Sequence, residues 1–557
     1  MTTAHPAERR PVLVLSLAII AVYLTLTIIQ SGESFVMDEI EFPRLAEAVA
    51  DTGRPVYYRG EQTPAHVGVF HPPLYGYALG GWIAMFGFSP EAVRLFGVLI
   101  MIATALLGVR IVKLLDLAGR WGTPLFLGLF LLHPFVIQSA LLPDIDGTVL
   151  LFATVLLFYE VTRASRNDNN FISALRMGLA LALAFAAKLT AVLVVPALFV
   201  GLILAQSLRR AIAVAGSASV IGSGVFLSAW WALATFAELP FFFPFEFAIQ
   251  SGLKGRVREA GIAELLSRLV PADWTVFWLG LLLPFMAVVG TAVLIKQLST
   301  WPERRVALMF ALWSLGTVVF YSLITGPPFG FPKYYISALP AMAILGVVAV
   351  DAVRDRVTPR RFGAWSGVIV AIGLAGLSGW RFAQVADEGR YAWPGYLWIF
   401  ALLLLGTIAA AAFIRRRGGW LPVAAILGLL MATVTYNLGM AAVQAVDERS
   451  VRYFPGEVGF DATVRRLQQL VGPDDPILVP KDIGSATYNR YHEQETLFLD
   501  TERLAEVLAN DKVQYVVVRD DWDYSYLIFP EVEAVIEEEM DLMEEIGGFL
   551  LYQRADD

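Results

Sequence analysis

Apolar runs of bilayer length recur along most of this 557-residue chain and leave few folds open to it. A run of about 17–25 apolar residues crosses the hydrocarbon as helix, and only a helix or a closed barrel satisfies its own backbone there. At roughly 20 residues per helix the chain holds about thirteen spans. Their approximate cores are 11–30, 93–112, 122–141, 146–161, 172–187, 190–207, 211–235, 275–295, 306–325, 334–351, 363–382, 394–414 and 421–440. The segment 73–88 reads as a short interfacial or re-entrant helix, because only Ser89-Pro90-Glu91-Ala92 separates it from the next run. A hydrophobic fraction of 57% against 17% charged residues agrees with a polytopic, all-α membrane protein.

Charge between the runs orients them. Arg9/Arg10, Arg110/Lys113/Arg120, Arg163/Arg166, Arg209/Arg210, Lys296/Arg304/Arg305, Arg354/Arg356/Arg360/Arg361 and Arg415/Arg416/Arg417 fall at every second connection. The intervening connections carry Asp38/Glu39/Glu41, Asp144/Asp146, Glu238/Glu246 and Asp387/Glu388. Basic loops favour the cytoplasm, so the amino terminus is expected inside and the carboxy-terminal segment outside. The first run, Pro11 to Ile29, is longer than a signal-peptide core and continues into Gln30-Ser31-Gly32-Glu33, which reads as a retained anchor. The chain has no cysteine, which excludes disulfides, thiolate nucleophiles and Cys-ligated metals. A net charge of −8, with basic residues dispersed, gives no support for nucleic-acid binding.

Two domains are expected: a polytopic part over 1–446 and a soluble α/β part over 447–557. In the second, "DATVRRLQQLV" and "TERLAEVLAND" have helical periodicity, while "PILVP", "ETLFLD", "VQYVVVRD" and "GGFLLYQR" read as strands. "EVEAVIEEEMDLMEEI" reads as one acidic helix. No glycine-rich phosphate loop follows the first strand.

Four stretches hold polar groups suited to chemistry. The first outer loop, about 31–72, contains Asp38, Glu39, Glu41, Arg44, Arg54, Arg59, His66 and His71. Its acids equally suit the dipole of a following helix, with Pro43 in the first turn. Asp144 and Asp146, two apart in "LPDIDG", could converge on one divalent cation if the turn curls them inward. Lys188 interrupts "LALAFAAKLTAVLVVPALF", a run that suits a hairpin of two short helices turning at the lysine. Such a cation is costly unless it snorkels or meets a partner. "GPPFGFPKYY" places Lys333, Tyr334 and Tyr335 at the start of a span, a set suited to a lipid phosphate or to a simple aromatic belt. The aromatic, then basic loop 237–274, with Lys254, Arg256, Arg258 and Arg268, suits a helix on the membrane surface that covers a site.

Taken in order, "MDE" in the first loop, "HPPLYGYAL" (His71–Leu79), "LLPDIDGTVLLF" (Leu141–Phe152), "AFAAKLTAVLVVPAL" (Ala184–Leu198) and "FPKYYISALPAMAIL" (Phe331–Leu345) resemble the GT-C glycosyltransferases. The likeness is to the bacterial branch related to protein O-mannosyltransferases and to the lipid A aminoarabinose transferases. It implies a sugar donor carried on a polyprenyl phosphate and an inverting transfer to an acceptor hydroxyl on the outer face of the plasma (inner) membrane. It implies Asp38 as the base, with Glu39 beside it, and Lys188, Lys333, Tyr334 and Arg59 around the donor phosphate. His71 and Tyr75 would line the substrate site. Asp144 and Asp146 match an acidic loop that in some relatives goes with a divalent metal (Mg, Mn or Zn) and in others with none. The acceptor is a lipid, a polysaccharide or a protein. The competing readings are a transporter or flippase of lipid-linked sugars, an oligosaccharide ligase or polymerase of the same fold, and a structural partner recruiting envelope proteins.

Overall fold

The computed structural model describes residues 6–35, 39, 41–55, 71–249, 282–329, 332–352, short stretches between 430 and 445, and 459–472, 477–480, 492–495, 513–519 and 530–555. Its helices, in chain order, are α1 (Pro6–Ile29), α2 (Glu41–Thr52), α3 (Leu74–Phe86), α4 (Pro90–Leu114), α5 (Gly122–Leu131), α6 (Pro134–Leu141), α7 (Val149–Ala164) and α8 (Asn170–Ala187). They continue with α9 (Val195–Ala205), α10 (Leu208–Ala237), α11 (Phe243–Ile249), α12 (Leu282–Lys296), α13 (Leu308–Phe329), α14 (Leu339–Asp351), α15 (Phe460–Leu470) and α16 (Pro530–Glu539). Among the described residues six segments are long and apolar enough to cross a membrane, or seven if the bent pair α5–α6 is one span. The expected spans at 363–382 and 394–414 lie outside the described residues.

The chain separates into two compact units, one of Met1–Gln30, Val69–Ala78 and Arg94–Val446, the other of Ser31–Gly68, Leu79–Val93 and Asp447–Asp557. In the first unit small residues bring helices together. A Cβ on Gly178 of α8 would meet the Ala218 carbonyl of α10 at 3.0 Å, and one on Gly222 would meet the Gly178 carbonyl at 2.9 Å. Close backbone approach of this kind holds helices where hydrocarbon supplies no hydrophobic drive. Gly97 of α4 lies tighter still against the Ala140 carbonyl of α6. The chain bends by 64° between α5 and α6. Pro134 opens α6, and the His133 ring nitrogen Nδ1 accepts from the Phe135 N–H at 3.2 Å, capping the new helix. Lys188 has an extended backbone (φ −161°, ψ 136°) and ends α8, and a 3₁₀ turn over Leu189–Val194 leads into α9. The expected break at this lysine is therefore where the helix stops.

The second unit contains a five-stranded mixed sheet of β1 (Ile477–Pro480), β2 (His492–Glu495), β3 (Tyr515–Arg519), β4 (Met540–Ile546) and β5 (Phe549–Arg554), in the order β2-β1-β3-β5-β4. β1 pairs parallel with β2 and β3, while β5 pairs antiparallel with β3 and β4. Leu478, Val516 and Val518 pack with Ile536 and Met540 to form its core. The same unit ties in the segment after α1: the Ser34 N–H donates to the Asp461 carboxylate at 3.3 Å. One expectation is corrected here. The acidic stretch read as a single helix stops at Glu539, and its second half is strand β4. Gly547 and Gly548, at φ 56° and 87°, close a hairpin onto β5, and Met540 is buried in the sheet core. Pairing and burial outweigh the helix propensity of a glutamate-rich sequence. "DATVRRLQQLV" forms α15 as expected. "TERLAEVLAND" and most of "ETLFLD" lie outside the described residues.

Candidate functional site

The turn between α6 and α7 is built to point two carboxylates inward. The Asp144 N–H donates to the Leu142 carbonyl at 2.8 Å, and Asp144 Oδ1 accepts from the Asp146 N–H at 3.1 Å, an Asx turn. The Thr148 hydroxyl donates back to the Asp144 carbonyl. A side chain at Gly147 would strike the Ser139 carbonyl at 2.8 Å, so glycine lets the turn lie against α6. Both carboxylates are buried.

Each acid meets a lysine from a distant part of the chain. Lys188 Nζ lies 2.7 Å and 3.0 Å from the two oxygens of Asp146. Lys333, from the 3₁₀ turn Pro332–Ala338 ahead of α14, lies 2.7 Å from Asp144 Oδ2. The Tyr334 ring sits between the ammoniums, 5.0 Å from Lys188 and 5.9 Å from Lys333. Behind it stacks Tyr321 of α13, at 5.2 Å and 13°. The cluster alternates charge and sums to zero. Burial pushes Asp144 up, but the charges of Lys333 and Lys188, with hydrogen bonds from Lys333 and the Asp146 N–H, outweigh it and hold its carboxyl below the ordinary range.

His71 and Tyr75 border the same cluster. Burial, then the charge of Lys188, keep the His71 imidazole neutral well below its ordinary pKa; Asp144 opposes this shift and Lys333 adds to it. Tyr75 is fully buried, bonded to the Thr148 hydroxyl and edge-on to Phe96 at 6.0 Å. Five sequence candidates that are far apart in the chain (His71, Asp144, Asp146, Lys188 and Lys333) thus converge, and Tyr334 joins them. Glu39 is buried in the second unit. Asp38, Arg59 and the basic part of loop 237–274 lie outside the described residues.

The arrangement does not fit a divalent cation on Asp144 and Asp146. Both acids are charge-matched by ammoniums within 2.7 Å, and among the described residues no group of three His, Asp or Glu side chains is placed to hold a metal ion. An ion there would have to displace both lysines. Two residues were missed by sequence reasoning. Tyr321 lies in an apolar run with nothing to distinguish it from a core aromatic. Buried Arg94 of α4 donates to the Leu141 carbonyl at 3.2 Å and anchors the acidic turn from below. A lone arginine four residues past the start of a span was the signal available for it.

Residues 70–232 match the family profile of dolichyl-phosphate-mannose-protein mannosyltransferases. An undecaprenyl phosphate-alpha-4-amino-4-deoxy-L-arabinose arabinosyl transferase of Yersinia enterocolitica is 28% identical over 310 residues, covering 53% of each protein. The chain thus spans about half the length of that curated relative. Over almost the whole chain the fold is similar to crystal structures of ArnT from Cupriavidus metallidurans. With undecaprenyl phosphate bound, the identity is 17%, the TM-score 0.59 and the coverage 97% of this chain and 98% of that one. In the apo state the values are 19%, 0.59, 96% and 97%.

Proposed function

We propose that this protein, whose fold is that of the GT-C membrane glycosyltransferases, moves a sugar from a polyprenyl-phosphate donor to an acceptor hydroxyl at the extracytoplasmic boundary of the plasma membrane, with inversion. The observation that carries the reading is the pair of buried ammoniums, Lys188 and Lys333, gathered over Tyr334 by Asp146 and Asp144. A solved protein of the same fold binds undecaprenyl phosphate, and the curated relative is named for transferring an aminodeoxy-arabinose from that carrier.

The chemistry fits these groups. The acceptor oxygen attacks the anomeric carbon, the bond from that carbon to the phosphate oxygen breaks, and the lipid phosphate leaves with the electron pair. Phosphate is already a competent leaving group, so it needs charge compensation more than an acid. Ammoniums are suited to this: each has three donors, and Asp146 engages Lys188 through two contacts. The aspartates hold the lysines charged and oriented while the site is empty, and an arriving phosphate competes for them. Compensation comes from lysine rather than from a metal on Asp144 and Asp146. The acceptor proton goes to a carboxylate, for which Asp38 is the candidate, with Glu39 its neighbour. Arg59 adds a further cation to the phosphate site.

The test is release of free polyprenyl phosphate by the purified protein given a labelled polyprenyl-phosphate sugar and a hydroxyl acceptor. A carrier or flippase binds the donor and releases nothing, and that result overturns the reading. Asp38→Asn is expected to abolish release while leaving thermal stability unchanged. Turnover of that variant at the parent rate removes Asp38 from the base role.

A further inference from the structure

The acidic turn is held from behind as well as by the lysines in front. Tyr75, in the first turn of α3, is 1% exposed, and its hydroxyl bonds to the Thr148 side chain. Its ring lies edge-on to Phe96 of α4 at 6.0 Å. Thr148 is fully buried and stands at the N-cap of α7, where a threonine ordinarily accepts from the first turn of the helix. Here its side chain makes no capping bond. Its hydroxyl proton goes instead to the Asp144 carbonyl. A hydroxyl has one proton to give, so in the bond between Tyr75 and Thr148 the phenol donates and Thr148 accepts. The Tyr75 hydroxyl, the Thr148 hydroxyl and the Asp144 carbonyl thus form a directed chain. It ends on the backbone of the residue that pairs with Lys333 at 2.7 Å.

We infer that Tyr75 is a positioning residue: acting through Thr148 it fixes Asp144, and so the place of the Lys333 ammonium, and it does not itself touch the sugar. The inference rests on the proposed reaction and replaces the substrate contact that the resemblance implies for this residue. The remaining bonds of the turn act on other atoms. Arg94 holds the Leu141 carbonyl, the Asp144 N–H donates to Leu142, and the Asp146 N–H donates to Asp144 Oδ1. They set the entry to the turn and the rotamer of the carboxylate, whereas the Thr148 bond sets the Asp144 peptide from which that side chain departs. The effect is directed at one lysine. Lys188 is held by both oxygens of Asp146, in bonds that do not pass through Thr148. Hydroxyls suit the task because they add no charge to a cluster that sums to zero, and linked hydroxyls in a buried, low-dielectric place polarise and strengthen one another.

Tyr75→Phe removes the donor and keeps the ring against Phe96. Binding of unsubstituted polyprenyl phosphate to the full-length protein in nanodiscs is measured for this variant, for Thr148→Val and Thr148→Ser, and for Tyr75→Phe combined with Thr148→Val or with Lys333→Gln. Thermal stability is followed beside it. Tyr75→Phe is expected to weaken binding by about five- to tenfold, the scale of one buried hydrogen bond. Combined with Thr148→Val it weakens binding no further than Thr148→Val does alone, because both break the same chain. Combined with Lys333→Gln it adds no loss, because the group it positions is gone. Thr148→Ser keeps the hydroxyl and binds as the parent does. A role in stability alone lowers the melting temperature of Tyr75→Phe and leaves its affinity at the parent value, and that result overturns the inference. Additive losses in either combination overturn it too, since they make Tyr75 a ligand contact of its own, and so does Thr148→Ser at the affinity of Thr148→Val. A parent protein that binds no polyprenyl phosphate overturns the inference and the proposed reaction together. A parent that binds the lipid but releases none from a labelled donor overturns the reaction alone.

Discussion

Two buried ion-pair clusters in the first unit make opposite uses of charge. In one, Arg304 donates to Asp351 at 2.5 Å, to the Leu115 carbonyl at 3.1 Å and to the Asp116 carbonyl at 2.7 Å, while Asp351 also accepts from the Ala118 N–H at 2.7 Å. The planar guanidinium is directed at fixed acceptors, and it stacks over Trp301 at 3.9 Å. The tie closes a turn in which Asp116, Ala118 and Gly119 all have positive φ, a backbone that costs energy at non-glycine residues and needs to be held. In the other cluster Lys188 and Lys333 are compact point charges over an aromatic face, each matched by one aspartate. An arginine clamp locks a turn, whereas a lysine can exchange one anionic partner for another. On the proposed reaction, side-chain type more than burial separates the pair that locks a turn from the pair that meets the donor phosphate.

Substitutions in the two clusters separate their roles. Lys188→Gln is expected to lower sugar transfer by about 10²–10³-fold, the scale of a lost electrostatic donor. It also leaves Asp146 buried without its ammonium. Adding Asp146→Asn should recover thermal stability but not turnover, and recovery of turnover would make the pair structural. Arg304→Met should cost about 3–5 kcal/mol of stability by stranding Asp351, with specific activity of the folded fraction unchanged. Lost activity in that folded fraction would erase the distinction between the clusters.

The smallest effect concerns His71. Its pKa in the fold lies below that of the unfolded chain, so the unfolded state takes up the proton first as pH falls. Stability is therefore complete above about pH 6.5 and declines below it, by at most about 1.4 kcal/mol per pH unit. His71→Asn should flatten that slope in denaturation midpoints followed from pH 7.5 to 5.5.

Much of this was legible in the chain because charges inside apolar runs are expensive and must be explained. Lys188 stood out for that reason, and the fold stops a helix at it. Asp144 and Asp146 stood out by spacing, and the Asx turn does curl them inward. The pairing itself was not legible. Nothing in a linear reading says that Lys333, nearly two hundred residues from Asp144, meets that acid while Lys188 takes Asp146. Spacing alone leaves the acids open to a metal or to cations, and only the fold sets an ammonium against each of them. Tyr321 carried no signal and Arg94 only a weak one, because an aromatic in a span and an arginine near its end are ordinary. Strand β4 misled because its glutamates favour helix locally, and only the glycine pair and β5 decide otherwise.

Among the described residues β4 is the last strand in its sheet, and the outer rim of any sheet invites another chain to pair with it. Here Asp541, Glu544 and Glu545 crowd seven residues, and the register slips between Leu542 and Glu544. Two copies brought rim to rim would set like charges against each other across a misaligned ladder. The glutamates that disguise this strand as helix also work against stacking between neighbouring molecules.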